Sequence, residues 1–233
     1  VRRHRYQCVE RVLEVAALLG ELADEVVFVG GAAAGLLIND PAIPEVRPTL
    51  DIDVIVEIGT RGDYYRLQER LRAKGFREAL GETVLCRFHH GRIVLDVMPT
   101  DPHILGFANR WSADTARSAQ TLEIDGVRLR AATPAHFLAM KLEAFHGRGR
   151  GDFMASHDME DIVAVLDGRL ELVAEVAAAA GNVRAYLAEQ FATLLRNEDF
   201  LDALSGHLPG DAASQQRLPL LLRRLERLAG ARV

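Results

Sequence analysis

"VVFVGGAAAGLLINDPAIPEVRPTLDIDVIVEI", residues 26–58, decides how the rest of the chain is read. Val26–Val29 is a short apolar run closed by Gly30-Gly31, the pattern of a buried strand ending at a glycine turn. Ala32–Asn39 is rich in helix formers and stops at the turn signal Asn39-Asp40-Pro41. Residues 49–58 form the clearest strand. Leu50, Ile52, Val54 and Val56 share one face; Asp51, Asp53, Ile55 and Glu57 share the other. The first face is wholly apolar and is expected to be the core side. Asp51 and Asp53 then stand about 7 Å apart on the second face. Like charges at that separation repel unless a cation lies between them. Magnesium suits such a pair, because it takes carboxylate oxygen and completes its shell with water and substrate phosphates. A solvated edge strand would carry the same two acids without any metal. The neighbouring features therefore matter.

Asp96 lies mid-strand in "RIVLDVMP" and is a third candidate ligand. Three carboxylates on adjacent strands can hold two metal ions, which clamp the attacking and leaving oxygens of a phosphoryl or nucleotidyl transfer. Gly30 and Gly31 fit that chemistry. At a strand–helix junction the backbone can approach a phosphate, and the helix N-terminus favours negative charge. Arg47 and Thr49 lie just upstream of the acidic pair.

Outward from this stretch, residues 8–23 and "GDYYRLQERLRAKG" read as helices, the second capped by Gly75. "TVLCRFHH" and "RIVLDVMP" form a hairpin about Gly91, and "QTLEIDGVRLRA" a second across Asp125-Gly126. Thr133-Pro134 opens a helix, and only helices follow. The glycine-rich run 145–156 reads as a mobile loop between two of them. The expected class is α+β: a mixed sheet with flanking helices over residues 1–130, then a helical half over 131–233.

Composition sets limits. The 233 residues carry a net charge of −5, so the whole chain is not a basic nucleic-acid binder. Arginines nevertheless gather at both ends (Arg2, Arg3, Arg5, Arg11; Arg217, Arg223, Arg224, Arg227, Arg232). Such clusters are usually solvated helix faces, with phosphate contact the minority reading. No apolar run reaches the roughly 18 residues of a membrane span, and the expected location is the cytoplasm. Cys8 and Cys86 lack metal or disulfide spacing and read as packing thiols. The histidines show no zinc pattern.

Taken together, "FVGGAAAGLL…RPTLDIDVIV…IVLDVMP" resembles the nucleotidyltransferase superfamily of DNA polymerase β type. Within it, Arg47-Pro48-Thr49-Leu50-Asp51-Ile52-Asp53, then Lys141-Leu142-Glu143-Ala144, then His157-Asp158-Met159-Glu160-Asp161 look most like the AbiEii-type toxin nucleotidyltransferases. The resemblance covers most of residues 26–166. It implies that Asp51, Asp53 and Asp96 are catalytic metal ligands, with Asp96 also a base. It implies that Gly30 and Gly31 cradle a triphosphate, with Arg47 and Thr49 beside the nucleotide. It further implies that Lys141 binds phosphate and that Asp158 faces the nucleotide. Many members carry Ser after the first glycine, where this chain has Gly31 and then Ala32.

The implied activity is Mg²⁺-dependent transfer of an NMP from an NTP, using two ions, to a hydroxyl of a tRNA 3′ end or a protein. The implied setting is a toxin–antitoxin or phage-defence pair, with a cognate antitoxin as partner. Two alternatives stand beside it: a small-molecule (antibiotic) nucleotidyltransferase, and a nucleotide-binding protein of the same fold without turnover.

Overall fold

The computed structural model describes residues 7–43, 46–79, 85–149 and 151–230. The chain forms two compact units. The first takes the chain as far as Leu36 and then Arg47–Thr133; the second takes Leu37–Val46 and the chain from Pro134 onward.

In the first unit, helix α1 (Gln7–Leu19) buries Cys8, Val12, Val15, Ala16 and Leu19. It ends earlier than its composition suggests, because Gly20 takes φ +58° and the chain tightens into a 3₁₀ turn, Gly20–Asp24. Strand β1 (Val26–Val29) is buried throughout and runs directly into α2 (Gly30–Leu37). Strand β2 (Asp51–Val56) follows. Helix α3 (Arg61–Ala73) is capped by Thr60, which accepts from the Asp63 amide. Then come β3 (Arg77–Glu78), β4 (Arg87–His90) and β5 (Ile93–Pro99). Two short helices, α4 (Pro102–Leu105) and α5 (Ser112–Ser118), precede β6 (Gln120–Ile124) and β7 (Val127–Ala131). Asp125 and Gly126 join the last two strands, both at positive φ (51° and 77°). That is what a two-residue hairpin turn requires.

The strands form one mixed sheet in the order β3-β4-β5-β2-β1-β7-β6. β2 runs parallel to β5 and antiparallel to β1, while β1 is parallel to β7. Phe28, Ile52, Val54, Leu95 and Leu129 are fully buried at its centre.

The face assignment for β2 needs correction. Leu50 is 71% exposed, whereas Ile55, on the acidic side by alternation, is 1% exposed. β2 is a central strand. Covered on both faces, such a strand reads as a continuous apolar run, and only its first residues alternate.

In the second unit the helices are α6 (Pro134–Arg148), α7 (His157–Gly168), α8 (Leu172–Ala178), α9 (Gly181–Leu194), α10 (Glu198–Leu204), α11 (Ala212–Gln215) and α12 (Leu218–Leu228). α6 packs on α7, α8 and α9, and α12 closes over α7, α8 and α9. Phe137, Leu142, Met159, Ile162, Leu187, Phe191 and Leu221 fill the core. Residues 37–43 dock on the end of α7: the amides of Asn39 and Asp40 both donate to the Gly168 carbonyl at 3.0 Å.

The loop expected over 145–156 is partly helix. α6 continues to Arg148 because Phe145 is buried and stacks on Phe153, ring centroids 5.0 Å apart. Some terminal arginines are structural. Arg217 chelates Asp167, and Arg224 donates to the Leu166 and Asp167 carbonyls at the C-terminal end of α7. Cations are favourable there. Arg2, Arg3, Arg5 and Arg232 lie outside the described residues.

Candidate catalytic site

The parallel register of β2 and β5 sets Asp53 directly opposite Asp96, and Asp51 opposite Val94. Residues opposite one another point to the same face, as do i and i+2 along a strand. Asp51, Asp53 and Asp96 therefore share one side of the sheet. Asp96 is 6% exposed; Asp51 and Asp53 are half-buried.

Gly30 sits against this group. Its strand neighbour Val29 pairs with Asp53, and Gly30 itself has φ +68°. A Cβ at Gly30 would lie 1.9 Å from Asp53 Oδ2. Conformation and close approach thus both demand glycine. Gly31 is buried in the first turn of α2, and the N-terminal end of that helix, where anions are favoured, lies beside Asp53.

The approach to β2 is held from two sides. Thr49, itself buried, donates through Oγ1 to Asp51 Oδ1 at 3.0 Å. Arg11 of α1 donates to the carbonyls of Thr49 and Leu50 at 3.2 and 3.3 Å. Arg47 is half-buried just before them.

A further residue stands at the centre. Arg87 of β4 is opposite Asp96 across the β4–β5 hairpin. Its Nε donates to Asp96 Oδ1 at 2.8 Å and its Nη2 to Asp96 Oδ2 at 2.8 Å. The same Nη2 reaches Asp51 Oδ2 at 3.3 Å. Arg87 escapes a strand-by-strand reading, although the hairpin contains the signal. Counting outward from the His90–Ile93 pair brings Arg87 to Asp96.

The donor set suits a hard divalent cation in kind: three carboxylates on one face, beside a backbone cradle that only glycine permits. Among the described residues, however, no three His, Cys, Asp or Glu side chains converge closely enough to hold a metal as they stand. The guanidinium of Arg87 lies between Asp51 and Asp96 and bridges their carboxylates. Cys86 lies beside the site with its thiol pushed up to about 12 by burial and by Asp96, so it stays a neutral packing group, as its spacing suggests.

Lys141 and Asp158 belong to the second unit, where they face each other and Asp161. Lys141 is 7% exposed, with Nζ 3.0 Å from Asp158 Oδ1 and 2.6 Å from Asp161 Oδ2. Burial alone would lower the Lys141 pKa; the two carboxylates outweigh it and hold it raised. Burial alone would raise that of Asp158; Arg148 and Lys141 hold it lowered. Arg148 donates to both Asp158 oxygens at 2.8 Å. A lysine on a helix is usually solvated, but this one is an interior ion pair joining α6 to α7.

These observations define a mixed-sheet nucleotidyltransferase-like fold with a helical second unit. The chain superposes on an antigenic nucleotidyltransferase-like protein from Paracoccidioides brasiliensis with a TM-score of 0.53 and 20% identity, covering 86% of this chain and 93% of that one. It is also similar to the antibiotic-resistance factor ANT(2'')-Ia, with a TM-score of 0.46 and 16% identity over 81% of this chain and 95% of that one. No protein-family model and no curated protein matches the chain. Among the described residues, no helix is long and apolar enough to cross a membrane.

Proposed function

We propose that the chain is a magnesium-dependent nucleotidyltransferase that moves an NMP from an NTP to a hydroxyl acceptor. The observation that carries this is the register of β2 and β5, which sets Asp53 beside Asp96 with Asp51 on the same face and Gly30 pressed against Asp53. Bound Mg²⁺, with two ions the expected number, would supply charge neutralisation between these carboxylates and the triphosphate. The α2 N-terminus at Gly30 and Gly31 receives the phosphates. Thr49 fixes the rotamer of Asp51. Arg47 is assigned to the nucleotide on the resemblance alone. Asp96 accepts the proton of the acceptor hydroxyl as pyrophosphate leaves. Catalysis in this scheme comes from positioning and electrostatics. Lys141 and Asp158 are assigned to the integrity of the second unit, since both are buried and spent on each other.

The run Arg47–Asp53 resembles the AbiEii-type toxins, and on that resemblance we favour a cytoplasmic toxin whose acceptor is a tRNA 3′ end or a protein hydroxyl, with an antitoxin as partner. The test is incubation of the chain with each labelled NTP, Mg²⁺ and, separately, total tRNA, lysate protein and a panel of antibiotics. Label should move to tRNA or protein and be lost in Asp51→Asn/Asp53→Asn. Transfer only to an antibiotic would replace the toxin reading. Transfer that survives the double substitution would sink the site, and NTP binding without transfer would leave a non-catalytic nucleotide binder.

A further inference from the structure

We propose that Arg87 is a built-in counter-ion, a positioning residue that holds Asp96 and Asp51 in the metal-free protein and must leave when a divalent cation binds. The inference rests on the reading of Asp51, Asp53 and Asp96 as cation ligands. Three features support it. Asp96 is nearly buried, and a buried carboxylate without a partner is strongly destabilising; Arg87 removes that penalty in the absence of metal. The contact is bidentate and engages both Asp96 oxygens, so a cation approaching either oxygen meets the guanidinium charge beside it. The same Nη2 also spans to Asp51, so one side chain competes for two of the three ligands.

Arg87 is also placed to move. Its side chain keeps 22% exposure while that of Asp96 has 9%. What would release it is a competing cation on the carboxylates or an anion on the guanidinium. The incoming triphosphate is the natural second partner, since the fork that fits a carboxylate also fits a phosphate. Metal and nucleotide would then bind cooperatively, the metal taking Asp96 and the nucleotide taking Arg87.

The test is Mn²⁺ binding to the full chain, followed by electron paramagnetic resonance and calorimetry, for the unaltered protein, Arg87→Ala, Arg87→Gln and Asp51→Asn/Asp53→Asn. Arg87→Ala should bind Mn²⁺ on the order of tenfold tighter, with Arg87→Gln between the two. Its melting midpoint should fall in EDTA, and saturating Mg²⁺ should raise it by more than it raises that of the unaltered protein, a difference that loss of a merely structural contact would not show. If Arg87→Ala does not fold, Arg87→Gln carries the comparison. Equal Mn²⁺ affinity in the unaltered protein and the Arg87 variants, with binding lost in the double aspartate variant, overturns the counter-ion role and leaves the metal site standing. Absence of Mn²⁺ binding from every variant at millimolar concentration overturns the metal site and the counter-ion role together.

Discussion

Gly30 carries two constraints that can be separated by experiment. Its φ of +68° penalises any side chain, and Asp53 Oδ2 already fills the space of a Cβ. Gly126 has a similar φ, +77°, but a Cβ there would meet no atom within 4 Å. Gly126→Ala should therefore report strain alone, about 1–2 kcal/mol. Gly30→Ala should lose more, because Asp53 must also shift, and the difference in urea-denaturation stability measures that contact. Equal losses would mean that Asp53 moves aside at no cost.

At the scale of elements, the ion cluster joining α6 to α7 has a definite pH signature. The folded pKa of Asp158 is lowered, so its share of stability is present above the unfolded value, near 3.8, and disappears as pH falls through the folded one. The folded pKa of Lys141 is raised above 10.5, so its share is present below that value and is lost only as pH rises through the folded one. The urea midpoint should be level across neutral pH and fall on the acid side, and Asp158→Asn should flatten the acid limb. An unchanged limb would show that Asp158 keeps its proton affinity on unfolding. Arg148, with a side chain 72% exposed, should be the part of the cluster most weakened by salt.

The elements also show how much is legible in the sequence. Both hairpins, β1, α2, the acidic start of β2 and most of the later helices follow from local chemistry: alternation, paired glycines, caps and turn residues. β3, with two residues, and the short α4 and α5 carry too little pattern to register. The faces of β2 beyond Asp53 do not follow alternation, which ceases once both faces are covered, a matter of tertiary neighbours rather than of the strand. Lys141 poses the same difficulty, since nothing local announces that a helical lysine will meet Asp158 and Asp161. Arg87 is within reach of sequence counting once the hairpin pairing is fixed, because its partner follows from register alone.

For the whole molecule, the chain passes from the first unit to the second and back before entering the second for good. The inserted segment is held closely. A Cβ at Gly168 would come within 2.7 Å of Ile38 and 3.2 Å of Ile43. Gly168→Val should therefore expel the segment from the end of α7 and cost about 1–3 kcal/mol, read as a lower melting midpoint of the intact chain. No change would show that Ile38 and Ile43 repack freely.

That docking has a consequence for synthesis. Leu37, whose carbonyl accepts from Arg169, precedes it by 132 residues. On the ribosome the 37–43 segment emerges early and must wait, apolar side chains uncovered, until α7 has left the exit tunnel. Strands β1 and β2 flank the segment in sequence, and their pairing would close it off as a loop in the meantime. Capture of that loop by α7 can begin only once Gly168 has emerged, and a nascent chain halted before Gly168 should be the species that chaperones recognise.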